Sequence, residues 1–194
     1  MRLQLSVLAF ALAVLVGCGA GGDFREVGPD ELLAAIKSGQ INPATPTPGH
    51  LALAGHRVDP RAPRPGYTVA TDSAGNGVQI EYFAPDGRNY LWYPGNASVV
   101  EGRYRYGIVV PRGGRVGRIG TIEFLYPSNS VDKNGRRGGE WESRAISDFR
   151  VYVIASQKGD IFNLSTGKVP YVRRACDLPK PMVAIPPGAG VCRR

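Results

Sequence analysis

Histidine and cysteine are scarce in this chain, two of the first and three of the second among 194 residues. A metal centre built from such ligands needs about four donors converging on one point, and His50 and His56 lie in a proline-rich stretch with no third ligand beside them. No metal site and no cofactor site is expected. Also missing is a set of nucleophile, base and orienting group: Ser73, Ser98 and Ser165 stand outside any strand-turn-helix nucleophile elbow, so no catalytic residue is assigned. Gly114, Gly117 and Gly120 follow a G-x-x-G-x-x-G spacing, which fits neither the dinucleotide fingerprint nor a phosphate loop ending in Gly-Lys-Ser/Thr. They are read as a bend or bulge leading into a strand at Gly120. After residue 17 there is no run of even ten apolar residues, so no spanning helix is expected there.

What the chain does have is turn chemistry. Its 26 Gly and 16 Pro are too many for a helical bundle, while 43% hydrophobic residues suffice for one core. Short strands joined by turns satisfy both facts.

The N-terminal segment, from Met1 to Gly17, is the exception to that composition. Arg2 precedes a mainly apolar run from Leu5 to Val16, which is too short to cross a bilayer and has the size of a signal-peptide core. The residues that follow, Leu15-Val16-Gly17-Cys18, resemble the lipobox of bacterial lipoproteins. That resemblance implies a diacylglycerol on the Cys18 thiol, cleavage before it and acylation of the new amino terminus. Each buried methylene then contributes about 0.8 kcal/mol, so two or three acyl chains form a stable anchor. Gly19 stands where an Asp would favour inner-membrane retention, so the resemblance implies the outer membrane, facing the periplasm. The alternative is an ordinary secretory leader cut at a small residue such as Ala20, which discards Cys18.

Export changes how the other two cysteines are read. Cys176 and Cys192 are an even number in an oxidising compartment, and a bond between them would close the proline-rich loop from Asp177 to Val191. Such a closure stabilises by about 3 kcal/mol in the entropic treatment. A free thiol or a metal pair are the other readings. Charge is also uneven. The formal net charge is +8; residues 18–100 carry 6 basic and 8 acidic side chains, whereas residues 101–194 carry 17 basic and 8 acidic, a net +9. Such asymmetry ordinarily raises nucleic acid as a partner, but an exported protein does not meet it. Anionic envelope lipids or polymers are the reachable counterparts, and a solvated basic surface with no partner is the plainer reading.

Along the chain, residues 18–28 read as a tether. Pro29, Asp30 and Glu31 at a start, Leu32, Leu33 and Ile36 on one face, Lys37 and Gly39 at the end predict one short helix. Residues 29–66 hold that helix and the proline-rich segment. Strand patterns fill residues 67–175: Val78, Ile80 and Tyr82 alternate with polar residues, Pro85-Asp86-Gly87 turns the chain, and Asn89 to Tyr93 returns. Further strands are predicted at Val99 to Tyr106, Gly120 to Tyr126, Asp148 to Ala155, Asp160 to Leu164 and Lys168 to Arg173. Tyr104 and Tyr106 share a face opposite Arg103 and Arg105, whose side is solvated or meets an acid. Ser128 to Arg144 reads as an exposed basic loop, and Lys158-Gly159-Asp160 as a hairpin turn with Ile161 and Leu164 in the core. Residues 176–194 form a stapled tail. The expected fold is mainly β, an antiparallel sheet forming a small sandwich or calycin-like barrel with one short N-terminal helix.

Several segments resemble small bacterial envelope proteins of unknown function. They are Asp30-Glu31-Leu32 through Ser38-Gly39-Gln40, Tyr82-Phe83-Ala84-Pro85-Asp86-Gly87-Arg88, Glu101-Gly102-Arg103-Tyr104, and Lys158-Gly159-Asp160-Ile161-Phe162-Asn163-Leu164 with Gly167-Lys168-Val169-Pro170-Tyr171. Where such proteins often carry a cysteine this chain has Ile122-Glu123-Phe124, so a disulfide inside the sheet is not available to it. The resemblance implies a fold and a location and brings no catalytic residue. The function expected from the sequence is that of a lipid-anchored envelope protein, non-enzymatic, with a binding or scaffolding β domain. The alternatives are a carrier of an apolar ligand inside a calycin-like barrel and an envelope hydrolase using an Asp or His of the proline-rich loop.

Overall fold

The computed structural model describes residues 22–38, 63–73, 76–111, 119–185 and 192. The segment from Met1 to Gly17 read as a signal peptide, Cys18, the stretch holding His50 and His56, and Gly114 and Gly117 lie outside the described residues. The strands are β1 (Gly22–Val27), β2 (Tyr67–Ser73), β3 (Gly77–Phe83), β4 (Arg88–Trp92), β5 (Val100–Pro111), β6 (Ile119–Leu125), β7 (Glu142–Ala145) and β8 (Val153–Lys158); the helices are α1 (Pro29–Lys37) and α2 (Ile146–Val151). Among the described residues these strands make one antiparallel sheet, ordered β7-β6-β5-β4-β3-β2-β8, with β1 added alongside β5. From β2 to β7 each strand pairs with the next, a meander.

The sheet is curled into a half-barrel, and the connection between its two ends explains why. β7 and β8 are opposite edges of the main path, yet only the short α2 and Tyr152 separate them in the chain. A helix of that length spans about 9 Å, so the edges must bend toward each other. A register shift in β2 against β8 between Ala70 and Thr71 adds local bend. The inner face of the curl holds Val69, Phe83, Tyr104, Tyr106, Ile122 and Phe124, covered by Leu32 and Ala35 of α1 and by Ile146 and Phe149 of α2. The outer face carries a second cluster, with Val78, Ile80, Tyr90 and Trp92 covered by Leu164 and Met182 from the C-terminal region. Burial on both faces is what a chain of this size needs to gain enough apolar contact.

The expected mainly β fold is therefore present as a half-barrel, and so are α1 and the β3–β4 hairpin. Other expectations change. Residues 22 to 27, expected as tether, form β1, which lies along β5 from Tyr106 to Pro111 in the edge position that β4 leaves open after Arg103. The Phe24 ring sits over Gly107, where any Cβ would collide with it, so only glycine admits the ring. Arg105 stacks on that ring at 4.4 Å and on Trp141 at 4.1 Å, and its Nη2 is 2.7 Å from Glu123. The arginine side of β5 does meet an acid.

The segment from Asp148 to Ala155, expected as one strand, divides into the end of α2 and the start of β8. Asp160 to Leu164 is not a strand either. Gly159 ends β8 with φ +95°, and Asp160 caps a short 3-10 turn, its Oδ1 and Oδ2 accepting the N–H groups of Leu164 and Ser165 at 2.8 Å. The architectural role expected for this segment is realised by capping instead of by a hairpin. Lys168 to Arg173 is not a strand either: its sheet-like pairing is an isolated bridge from Lys168 to Ser98.

The tail then crosses the end of β3. The Val78 N–H donates to the Ala175 carbonyl at 2.6 Å, and a Cβ on Gly77, at φ +71°, would collide with that oxygen. Glycine is required there twice over. Cys176 and Cys192 are joined, with Cα atoms 5.3 Å apart, and the Cys192 N–H donates to Asp72 Oδ2 at 2.9 Å, so the staple also holds the tail against β2.

Candidate functional site

Curling gives the polar residues of β3 and β4 an unusual position. Along β3, Val78 and Ile80 point into the outer cluster, so Gln79 and Glu81 point to the concave side. On a flat sheet that side would be water. Here it is the floor and wall of a cleft of about 650 Å³, roofed by the loop of residues 127–140 and walled by β6, β7 and α2. The volume falls in the range of small-molecule sites, roughly 300 to 1,000 Å³.

Glu81 stands at its base and is only 7% exposed. β3 opposes Glu81 to Leu91 and Phe83 to Asn89, so Asn89 is the diagonal neighbour of Glu81 on the same face. The Asn89 Nδ2 and the Tyr126 hydroxyl both donate to Glu81 Oε1, the latter at 2.6 Å; Oε2 takes part in neither bond. Burial pushes the Glu81 carboxyl above the usual carboxylate range, while the bonds from Tyr126 and Asn89 and the charge of Arg144 pull it back. Burial also pushes the Tyr126 hydroxyl well above its ordinary value, so it stays a donor at any physiological pH. The aromatic floor is continuous: Phe124 stacks with Tyr126 at 6.1 Å and with Phe149 at 5.8 Å.

The roof is pinned rather than loose. Tyr93 donates from its hydroxyl to Asn76 Oδ1 at 2.6 Å and accepts the Lys133 N–H at 3.0 Å. Asp132 Oδ1 accepts the N–H groups of Asn134 and Arg136 at 2.8 and 2.9 Å, and Val131 bridges Arg137. The basic loop expected from Ser128 to Arg144 is therefore a folded cover that ends in β7. Arg136, Arg137 and Arg144 are exposed at its mouth, and among the described residues no ion pair holds any of them.

A buried carboxyl with a raised pKa makes a pH-dependent contribution of known sign. In the interval above the ordinary pKa of 4.5, the folded chain keeps a proton on Glu81 that the unfolded chain has lost, so stability falls as pH rises toward the folded pKa. Glu81→Gln keeps an acceptor for Tyr126 and Asn89 and removes the titration. Urea unfolding at pH 4.5, 6 and 7.5 should show the variant gaining on the wild type as pH rises. A constant difference across that range would mean the carboxyl is not desolvated.

The basic loop from Ser128 to Arg144 is the part of the sequence reading that lines this cleft, whereas the described candidate site residues lie elsewhere. Cys176 and Cys192 lie at the tail, Ser98 bridges Lys168, Ser165 sits in the 3-10 turn after Asn163, and Gly120 is an ordinary strand position opposite Ile108. Among the described residues no group of three His, Cys, Asp or Glu side chains could hold a metal ion, and no helix is long and apolar enough to cross a membrane. The cleft is hidden in the sequence because Glu81 reads as the solvent-side member of an alternating strand. No protein-family model, no curated protein and no solved structure matches the chain.

Proposed function

We propose that the chain is a lipid-anchored protein of the bacterial envelope, held to the outer membrane by acyl chains on Cys18 and facing the periplasm. Its single β domain acts as a non-enzymatic binding module that takes a polar ligand in the concave cleft. The observation that carries the binding half is Glu81, a carboxyl kept 7% exposed at the base of a cleft of about 650 Å³. Burying such a group costs stability unless something is gained by it, and an apolar residue at that position would hold the sheet better. The lining also weighs against the carrier of an apolar ligand. Beside Leu91 and Phe124, the walls present Gln79, Glu81, Asn96 and Arg144, groups that would lose their water to an aliphatic guest without return. The anchor is supported by Leu15-Val16-Gly17-Cys18 and the apolar run before it.

Both halves can be tested on the full chain. Cys18→Ala should abolish labelling by radioactive palmitate and move the protein from the membrane to the soluble fraction; unchanged labelling sinks the anchor. For the cleft, hydrogen exchange of the detergent-solubilised wild type is followed against a set of small polar probes: sugars, sugar acids, amino acids, polyamines and phosphate. At least one should protect peptides covering Gly77–Phe83 and residues 127–140 together. If no probe protects them, the binding reading fails.

A further inference from the structure

We infer that the ligand of the cleft is an acidic saccharide, its hydroxyl groups held at the base by Glu81 and neighbouring amides and its carboxylate held at the mouth by arginines. This rests on the cleft being a binding site and goes on to name the chemistry of what it binds. The base supplies the first half of the argument. Both protein donors to Glu81 converge on Oε1, which leaves Oε2 without either of them in a side chain that lines the cleft. A ligand hydroxyl suits that position in both protonation states, donating to the carboxylate or accepting from the acid. Gln79 and Asn96 on the lining each offer a donor and an acceptor, the combination that vicinal hydroxyls require. Leu91 and Phe124 provide apolar surface for the C–H side of a ring.

Charge supplies the second half. Arg136, Arg137 and Arg144 line the cleft, are exposed, and have no ion pair among the described residues. Glu101, Asp132 and Glu142 share the lining, so the arginines select by the geometry of their open guanidinium groups and not by a local excess of charge. Asp132 Oδ1 is occupied by N–H groups of its own loop, and Glu101 is drawn toward Arg88 at 3.9 Å. Planar guanidinium groups match a carboxylate in two-point contact, and residues 18–194, with 23 basic and 16 acidic side chains, carry a net positive charge that draws an anion toward the protein. A neutral sugar would leave the arginines unused.

The test is calorimetric titration of the full-length protein in detergent with trigalacturonic acid, with maltotriose as the neutral counterpart and inorganic phosphate as the anion alone. Trigalacturonate should bind at least tenfold more tightly than maltotriose and than phosphate. Its affinity should fall about tenfold in the Arg137→Ala, Arg144→Ala double variant and also as salt rises from about 50 to about 500 mM. Glu81→Gln, and independently Gln79→Ala, should weaken trigalacturonate and leave the salt response in place; the second variant covers the case in which the first misfolds. Maltotriose binding as tightly as the acid, or phosphate accounting for the whole affinity, overturns the inference. If neither saccharide binds while another probe protects the cleft from exchange, the saccharide fails and the binding module stands. If nothing binds by either method, both fall.

Discussion

Arg173→Met should lower the folding free energy by about 3 kcal/mol, read as a fall in the urea midpoint with an unchanged slope. Arg173 is 2% exposed, yet no carboxylate pairs with it among the described residues. Its guanidinium works on backbone carbonyls. Nη2 donates to Val78 at 3.0 Å and to Trp92 at 2.6 Å, Nη1 donates to Asp177 at 2.8 Å, and the group lies 4.6 Å over the Trp92 ring. Burial pushes its pKa down to about 10, which leaves it charged at neutral pH. Three charge-assisted bonds, two of them on the ends of β3 and β4, are lost together when methionine replaces it, at roughly 1.5 to 3 kcal/mol each before relaxation. Relief of the buried charge returns part of this, so the net falls near the stated figure. Lysine is no substitute, since one ammonium cannot fork between strands. A loss below about 1 kcal/mol, the size of an ordinary surface substitution, would show that the tail is held by the disulfide and its apolar contacts alone.

Phe83→Ala should cost more, about 4 kcal/mol. The ring is fully buried at the centre of the inner cluster, edge-on to Tyr104 at 5.1 Å and within 6.1 Å of both Phe124 and Phe149. Its aromatic neighbours are held away from the hole it would leave, since Phe124 and Phe149 stack with each other on the cleft floor and Tyr104 donates its hydroxyl to the Ala84 carbonyl at 2.7 Å. The same variant should therefore widen exchange in α2 and in β6 as well as in β3. Thermal and urea unfolding measure the first effect and hydrogen exchange the second. A cost under about 2 kcal/mol, below the range for a well-packed aromatic, would mean that the inner face is loosely packed and does not set the cleft floor.

The two predictions sit on parts of the chain of unequal legibility. Phe83 belongs to the hairpin whose alternation and Pro85-Asp86-Gly87 turn are plain in the sequence, because there the partner strand is only a tight turn away. β1 is different. Its partner is β5, far along the chain, and a strand's own residues do not name the strand it will join. α2 hides for another reason: so short a helix cannot show its own period, while Phe149, Val151, Val153 and Ala155 happen to alternate as a strand would. Asp160 is legible as a chain reversal, but which backbone N–H groups its carboxylate caps depends on Leu164 being drawn into the outer core. The cleft follows from curvature. Alternation separates the two faces of β3 correctly and cannot say that the polar one is roofed, since the roof is set by α2 joining opposite edges and by Lys133 reaching Tyr93.

β1 bears on where a ligand could be met. Its ladder to β5 begins at Gly22, so with lipid on Cys18 only Gly19, Ala20 and Gly21 lie between the anchor and the folded body. That is a leash of at most about 14 Å. On the proposed anchor, a domain so closely moored would swivel but not patrol. Under that proposal, a ligand of the cleft would have to come within one molecular diameter of the membrane to be caught.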